Sequence, residues 1–460
     1  MISYSTIHKF IRECEAAENI NLINFALIQN NEVIAQFCKK PYKKCCKQLL
    51  FSMTKSFTSL AVGIAYDKGL LALNDYVTAF FKDEIPENPH PNLKLMRLSH
   101  LLTMTTGIHD NTYTELFAQP NWITAFLSQD FPHEPGTYYR YSTHATHMLS
   151  AVIEKTSNES LEDFLNANLF YPMEIKNAQW EHSPEGLIAG GMGLSLCPSD
   201  LIKMAIMLLN KGVFNGKRII SEKYLSLATS PQVVKQDEIN VVDKYFSGSE
   251  YGYQFHLSPN GTYRADGAFG QFCIIHPEKN IAIIATSQRT KTENILALVD
   301  KYLLSGCVGD NNISKESLSD YFQQLSFDTP KMSDEKKSSL EIHNLYELEN
   351  NELNIKTVQI TDNHIIFRFT DNSHDEIAID FCKPVYGHSH FIKDLQIHLQ
   401  EHCVYAEKVE DNIVILTIYY IETPYVVKYS LEYKERKLNF SFNANVSLTL
   451  KNFSVFGFKM

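Results

Sequence analysis

The chain has 460 residues, more than one hydrophobic core accommodates, so two domains are expected. It is 44% hydrophobic and 21% charged, the balance of a soluble globular protein, and its formal net charge of −11 argues against nucleic acid as a partner. No apolar run approaches the ~20 residues that span a bilayer, so no membrane partner is expected.

The start, Met1 to Lys9, lacks the charged and then apolar order of a secretory leader. The nine cysteines are scattered, and no Cys/His spacing fits zinc. The thiols are therefore read as reduced, the location as cytoplasmic, and no metal or organic cofactor is expected. Cys197 and Cys273 read as core residues.

Residues 4–18 look like an amphipathic helix. Residues 25–28 and 33–37, broken by Asn30 and Asn31, predict an antiparallel hairpin. Residues 49–69 read as one buried helix. Phe57, Leu60, Ala61, Ile64 and Ala65 recur at three- and four-residue spacing, and Gly69 suits the position past its end. Residues 70–81 and 85–91 read as loop, and 98–107 as a short helix closed by glycine. Residues 108–140, with Asp110, Tyr113 and Trp122, are predicted to be a long irregular stretch, and such loops are often functional. Residues 147–156 and 161–169 have helical spacing. Residues 190–193 read as a flexible turn, and Ser199 as the cap of a helix over 200–210. Residues 251–257, 270–276 and 281–286 read as strands, and 293–304 as a closing helix.

Residues 308–344 are polar and read as a linker, with room for a short helix at 321–325. From Leu345 the pattern alternates, predicting strands at 355–360, 364–369, 376–381, 413–420, 425–433, 437–442 and 446–450. That is an all-β module, a sandwich or a barrel. The expected division is a first domain at 1–307, the linker at 308–344 and a β-rich domain at 345–460.

The stretch with chemical content is the start of the buried helix. Ser52 and Lys55 are three residues apart and share a helix face. They lie near an N-terminus, where unpaired N–H groups favour developing negative charge. A serine hydroxyl becomes a nucleophile when a base takes its proton. A lysine in an apolar wall is hard to keep protonated and suits that task. Ser-x-x-Lys alone is a loose pattern, and chance supplies roughly one or two in a chain of this size. Ser333 and Lys336 form a second, inside a polar run, and are read as accidental. The first has apolar residues before it and a helix after it.

Further segments follow in a fixed order: Leu101-Leu-Thr-Met-Thr-Thr-Gly107, the pair Pro135-Gly-Thr with Tyr141-Ser-Thr143 taken as one, Gly190-Gly-Met-Gly-Leu, Leu209-Asn-Lys-Gly and Asp266-Gly-Ala-Phe-Gly-Gln271. With Ser52-Met-Thr-Lys55 this series resembles the serine β-lactamase-like hydrolases: class C β-lactamases, DD-peptidases and related esterases and amide hydrolases. Six matches in order are far more specific than one.

The resemblance covers residues 20–305. It implies an α+β fold, an antiparallel sheet flanked by helices with an all-helical subdomain at 75–210. The all-β C-terminal domain is extra. Carried onto this chain, Ser52 is the acylated nucleophile and Lys55 its proton acceptor. Tyr141 shares the base role and protonates the leaving group. The backbone N–H groups of Ser52 and Ala268 form the oxyanion hole, where losing a donor costs ~3–4 kcal/mol of barrier lowering. Thr143, Tyr113, Asp266 and Gly267 are the implied substrate contacts.

Two departures bear on the substrate. Thr143 stands where the family has asparagine. Ala265-Asp266-Gly267 stands where it has Lys-Thr-Gly or His-x-Gly, so the cation that meets a substrate carboxylate is absent. Arg264 and Asp266 share a strand face. The expectation is a small neutral or cationic ester or amide, not a penicillin. His144 and His147 read as helix-surface or packing residues, and Trp122 and Trp180 as packing groups. The rival reading is a ligand-binding or sensing module on a penicillin-binding-protein-like scaffold, acylated without turnover.

Overall fold

The computed structural model describes residues 1–110, 112–235, 250–305, 313–330, 332, 344–410 and 412–460. Ser333 and Lys336 lie outside them. The chain forms two compact units, residues 1–37 with 49–320, and residues 38–48 with 321–460.

In the first unit, the helix Tyr4–Ala16 buries Ile7, Phe10, Ile11 and Cys14, and Ser3 caps it by accepting from the Thr6 N–H. The strands Ile20–Gln29 and Glu32–Cys38 then turn through Asn30 and Asn31, at φ 54° and 66°. Asparagine tolerates this left-handed region, which two-residue hairpin loops require. An eight-stranded sheet follows in the order Glu32–Cys38, Ile20–Gln29, Ile281–Thr290, Gln271–His276, Tyr263–Gly267, His256–Leu257, Glu250–Tyr251 and Val233–Val234. Its pairs are antiparallel, with Phe25 opposite Ala285 and Asp266 opposite Phe272. The N-terminal hairpin thus pairs, through Ile20–Gln29, with a strand more than 240 residues later in the chain, Ile281–Thr290.

The helices Thr143–Ser157, Leu161–Leu165 and Glu222–Ala228 pack against one central segment, the helix Thr54–Asp67. Every residue from Thr54 to Ala65 is buried, as expected of a helix that is enclosed on all sides. It starts later than its periodicity suggests. Gln48–Leu49 is a short strand, and Phe51–Met53 is a 3₁₀ turn. The helix expected at 98–107 ends at Leu102, because Met104 reverses the chain at φ 60°. The stretch 108–140 is not irregular throughout: it contains the helices Tyr113–Phe117 and Trp122–Leu127. Thr143–Ser157 begins earlier than expected, capped by Ser142. Pro198, not Asp200, opens the next helix, since a residue without an N–H suits the first turn. Cys197 is consequently a half-buried helix cap rather than a core residue, whereas Cys273 is core. Residues 251–257 form two short strands bent at Gln254, φ 63°. Gly190, Gly191 and Gly193 are buried, not a free turn.

The second unit is an antiparallel sheet of ten strands, in the order His374–Ala378, His364–Phe369, Ile355–Ile360, Leu345–Leu348, Phe453–Lys459, Lys437–Ala444, Val426–Lys434, Ile413–Tyr420, Ile397–Glu410 and Val385–Ile392. Leu416, Ile418, Val427, Leu431, Phe440 and Phe442 form its core. The two outermost strands meet: Asp375 accepts from the His390 N–H at 3.0 Å and lies 2.8 Å from His390 Nδ1. The sheet is therefore nearly closed into a barrel. Residues 38–48 belong to this unit, with Tyr42 against Phe327 and Tyr419. Residues 446–450 are not a strand. Ser447 Oγ accepts from the N–H groups of Thr449 and Leu450 and closes a turn there. The stretch expected as linker contains the helix Lys315–Gln324.

Candidate active site

Phe51 sits at φ 50°, a region that bulky side chains rarely occupy. That kink turns the chain from the strand Gln48–Leu49 into the helix and leaves Ser52 half-exposed at the rim, while Lys55 is buried at 2% exposure. Lys55 Nζ lies 3.0 Å from Ser52 Oγ, 3.2 Å from Thr143 Oγ1 and 2.6 Å from the Gly191 carbonyl oxygen. A neutral amine has two N–H groups and one lone pair. In the neutral form, with its N–H groups on Gly191 and Thr143, the amine would present its lone pair to the Ser52 hydroxyl. Thr143, anticipated on the substrate, thus spends its hydroxyl on the lysine.

The Gly191 carbonyl is a site group that the side-chain pattern did not reveal. Its approach depends on glycine. A Cβ at residue 191 would stand 2.7 Å from Thr143 Cγ2 and 2.8 Å from the Thr143 carbonyl oxygen. Tyr141, half-exposed, lies with its ring centroid 5.0 Å from Lys55 Nζ. Ser52, Lys55, Tyr141 and Thr143 are therefore brought together.

Gly267 ends the strand Tyr263–Gly267, and a Cβ there would stand 2.1 Å from the Leu50 carbonyl oxygen. Backbone therefore presses on backbone, and Ala268, the next residue, is carried to the Ser52 turn. Residues 266–269 are half-exposed.

Ala265 is buried and offers no polar atom at the third motif. Arg264 Nε donates to Asp266 Oδ2 at 2.8 Å, and Arg264 Nη1 donates to Ser258 Oγ at 2.8 Å. Burial pushes the Asp266 carboxyl above its ordinary value, and Arg264 opposes that without cancelling it. Asp266 Oδ1 is buried without a hydrogen-bond partner.

Tyr113 packs on Phe117, with ring centroids 4.1 Å apart, and its ring meets that of His144, next to Thr143. His144 is a packing residue inside an aromatic cage, with Phe117 at 4.7 Å and Trp122 at 5.4 Å. His147 is also interior and lies 2.9 Å from Glu185 Oε1, so neither histidine is on the helix surface. His109 and Asp110 lie apart from this cluster: the ring of His109 stacks on Tyr138 and its Nδ1 lies 2.9 Å from His133 Nε2. Among the described residues, no three metal-ligating side chains come together.

An antiparallel sheet with a helical insert, placing a serine, a lysine and a tyrosine at one rim, defines the β-lactamase and penicillin-binding-protein class of fold. The family model described as Beta-lactamase matches residues 7–304, and the chain belongs to that family. It is 21% identical over 261 residues to the uncharacterized protein BpOF4_21049 of Alkalihalophilus pseudofirmus, covering 51% of this chain and 71% of that one. Among solved structures, it resembles a putative 6-aminohexanoate-dimer hydrolase from Bacillus anthracis, with a TM-score of 0.53 and 16% identity over 63% of this chain and 80% of that one. It also resembles the octameric penicillin-binding protein homologue from Pyrococcus abyssi, with a TM-score of 0.52 and 17% identity over 98% of each chain. At these identities the likeness to the solved structures is one of fold.

Proposed function

We propose that the chain is a serine hydrolase that cleaves a small ester or amide through a covalent acyl-enzyme. The observation that carries this reading is the 3.0 Å approach of Lys55 Nζ to Ser52 Oγ, with the other donors of the amine committed to Gly191 and Thr143. Lys55, aided by Tyr141, takes the Ser52 proton as the oxygen attacks the substrate carbonyl. The oxyanion forms between the Ser52 and Ala268 N–H groups. Tyr141 passes the proton to the leaving group, and water then repeats the sequence on the ester.

The substrate is neutral or cationic. Residue 265 supplies no cation for a carboxylate, and the neighbouring side chain, Asp266, is itself a carboxyl. The hydrolases among the solved relatives support the reaction class.

A fluorophosphonate probe followed by peptide mapping tests the nucleophile, and Ser52 is the expected site of labelling. Steady hydrolysis of a p-nitrophenyl ester, lost in Ser52→Ala, is expected alongside it. A single stoichiometric burst would instead support a sensing module. Appreciable turnover of nitrocefin, whose carboxylate lies beside the β-lactam ring, would overturn the substrate assignment.

A further inference from the structure

The family's third motif supplies no polar side chain at Ala265, yet the wall behind Tyr141 is not apolar. His256 lies on the neighbouring strand His256–Leu257, opposite Arg264 in register. Its ring stacks on Tyr141, with centroids 6.3 Å apart and planes at 29°, and meets Tyr251 edge-on at 5.0 Å and 84°. Its Nδ1 lies 3.2 Å from Lys235 Nζ. All three side chains that hold or flank it, Lys235, Tyr251 and Arg264, are buried.

These contacts determine where the imidazole proton sits. A lysine ammonium donates and does not accept. His256 Nδ1 therefore accepts from Lys235, and the ring proton is on Nε2. A second proton, on Nδ1, would break that bond and face a cation. The charged and titratable groups around the ring are Lys235, Arg264, Tyr141 and Tyr251, with Lys55 and Asp266 beyond them. Burial, with Lys235, Arg264 and Lys55 acting in the same direction, holds His256 well below its ordinary value. Arg264 donates to Asp266 and to Ser258.

Tyr141 is half-exposed, and without a neighbour its phenol would sample several rotamers. Lys55 flanks one part of its ring and His256 another. Resting on the hydrolase reading, we infer that His256 is a positioning residue for Tyr141, fixed in one tautomer by Lys235. The pair does at a distance from residue 265 what a side chain at residue 265 does not do: it holds the proton carrier in place beside the nucleophile.

The test uses the full chain and the second-order rate of fluorophosphonate labelling at Ser52 from about pH 5 to 9, with p-nitrophenyl acetate turnover beside it. His256→Phe keeps a flat ring and removes the acceptor. It is expected to slow labelling and kcat about tenfold or more, with KM changed less than about twofold, since misplacement of a reacting group acts on the chemical step. Lys235→Met removes the donor and is expected to move the acidic limb of the rate profile upward, as His256 becomes easier to protonate. Wild-type labelling rates at every pH in His256→Phe would overturn the inference. Should His256→Phe fail to fold, Lys235→Met decides alone, and an unchanged profile overturns it. A wild-type chain that is not labelled at Ser52 would instead overturn the hydrolase reading.

Discussion

Phe51 and Phe269 both stand in the left-handed region, at φ 50° and 63°, and their rings meet edge-on at 5.2 Å and 80°. One immediately precedes Ser52 and the other immediately follows Ala268. Each conformation costs of order 1–2 kcal/mol for a residue with a side chain. The pair therefore stores strain at both ends of the proposed oxyanion hole, and each ring holds the other in place. Phe269→Ala removes the ring and lets Phe51 relax. Labelling of Ser52 is expected to fall about tenfold, while urea unfolding shows a loss of only about 1–2 kcal/mol, because Phe269 is half-exposed. Undiminished labelling would mean that the turn holds without the ring.

The Lys55 amine and the Thr143 hydroxyl that accepts from it can be removed separately. Lys55→Met keeps the volume and removes the base, so ester hydrolysis is expected to fall by about a thousandfold or more. Thr143→Val keeps the shape and removes one acceptor. It leaves a buried N–H without a partner, at a cost of about 1–3 kcal/mol that should appear as a drop in kcat of roughly ten- to a hundredfold. Steady-state kinetics on a p-nitrophenyl ester separates the two. Equal losses would mean that the hydroxyl matters as much as the amine and that the lone-pair argument is wrong.

The backbone of this arrangement was legible in the sequence, but its fastenings were not. Ser52, Lys55, Tyr141 and Thr143 could be placed because their order along the chain is distinctive, and they do converge. Periodicity places the helix start at residue 49, five residues before Thr54, because it cannot register a left-handed Phe51. The Gly191 carbonyl has no side-chain signature. His256 reaches Tyr141 from a strand of only two residues, and Lys235, which meets His256, follows another, Val233–Val234; both are too short for alternation to reveal. In the second unit the strands Val385–Ile392 and Ile397–Glu410 were missed. In the first, exposed His388 and His390 interrupt the buried residues; in the second, Ile397 and Leu399 are exposed while Gln400 and His402 are buried, so neither follows the usual apolar-in, polar-out order. The expected strand at 446–450 has β-branched content, but Asn445 and Ser447 accept from neighbouring N–H groups and turn the chain.

Gly267 tests whether the nucleophile turn and the third motif are in backbone contact. Its φ is not left-handed, so alanine is tolerated by the local conformation, and only space opposes it. A Cβ would meet the Leu50 carbonyl oxygen at 2.1 Å and Gln271 Cβ at 2.9 Å. Backbone cannot give way as a flexible side chain does. Gly267→Ala is therefore expected to push the Ala268 N–H away from Ser52 and lower kcat about a hundredfold, the loss typical of one oxyanion donor. The circular dichroism of the variant should remain that of the parent. An active variant would place the second donor elsewhere.

The aromatic cage beside Thr143 has a signature of its own in the acid stability of the chain. Burial, aided by His147 and Lys55 and opposed by Glu185, holds His144 down at about 3, against an ordinary value of 6.5. The unfolded chain therefore binds a proton there that the folded chain refuses. The contribution of His144 is fully present above pH 6.5 and is lost as pH falls from 6.5 toward 3, at up to ~1.4 kcal/mol per pH unit. Burial alone would raise Glu185, but the hydrogen bond and charge of His147 outweigh it and hold the carboxyl at about 2, against an ordinary value of 4.5. Its contribution begins to fail only below pH 4.5, so the two groups act in succession. His144→Phe fits a cage already built from Phe117 and Trp122, and it cannot titrate. Urea unfolding at pH 7, 6, 5 and 4 is expected to show a flatter dependence in this variant between pH 6.5 and 4.5, with the fall below 4.5 retained. A slope identical to that of the parent over the upper interval would show that His144 is already protonated in the folded chain, and that the cage accepts a cation.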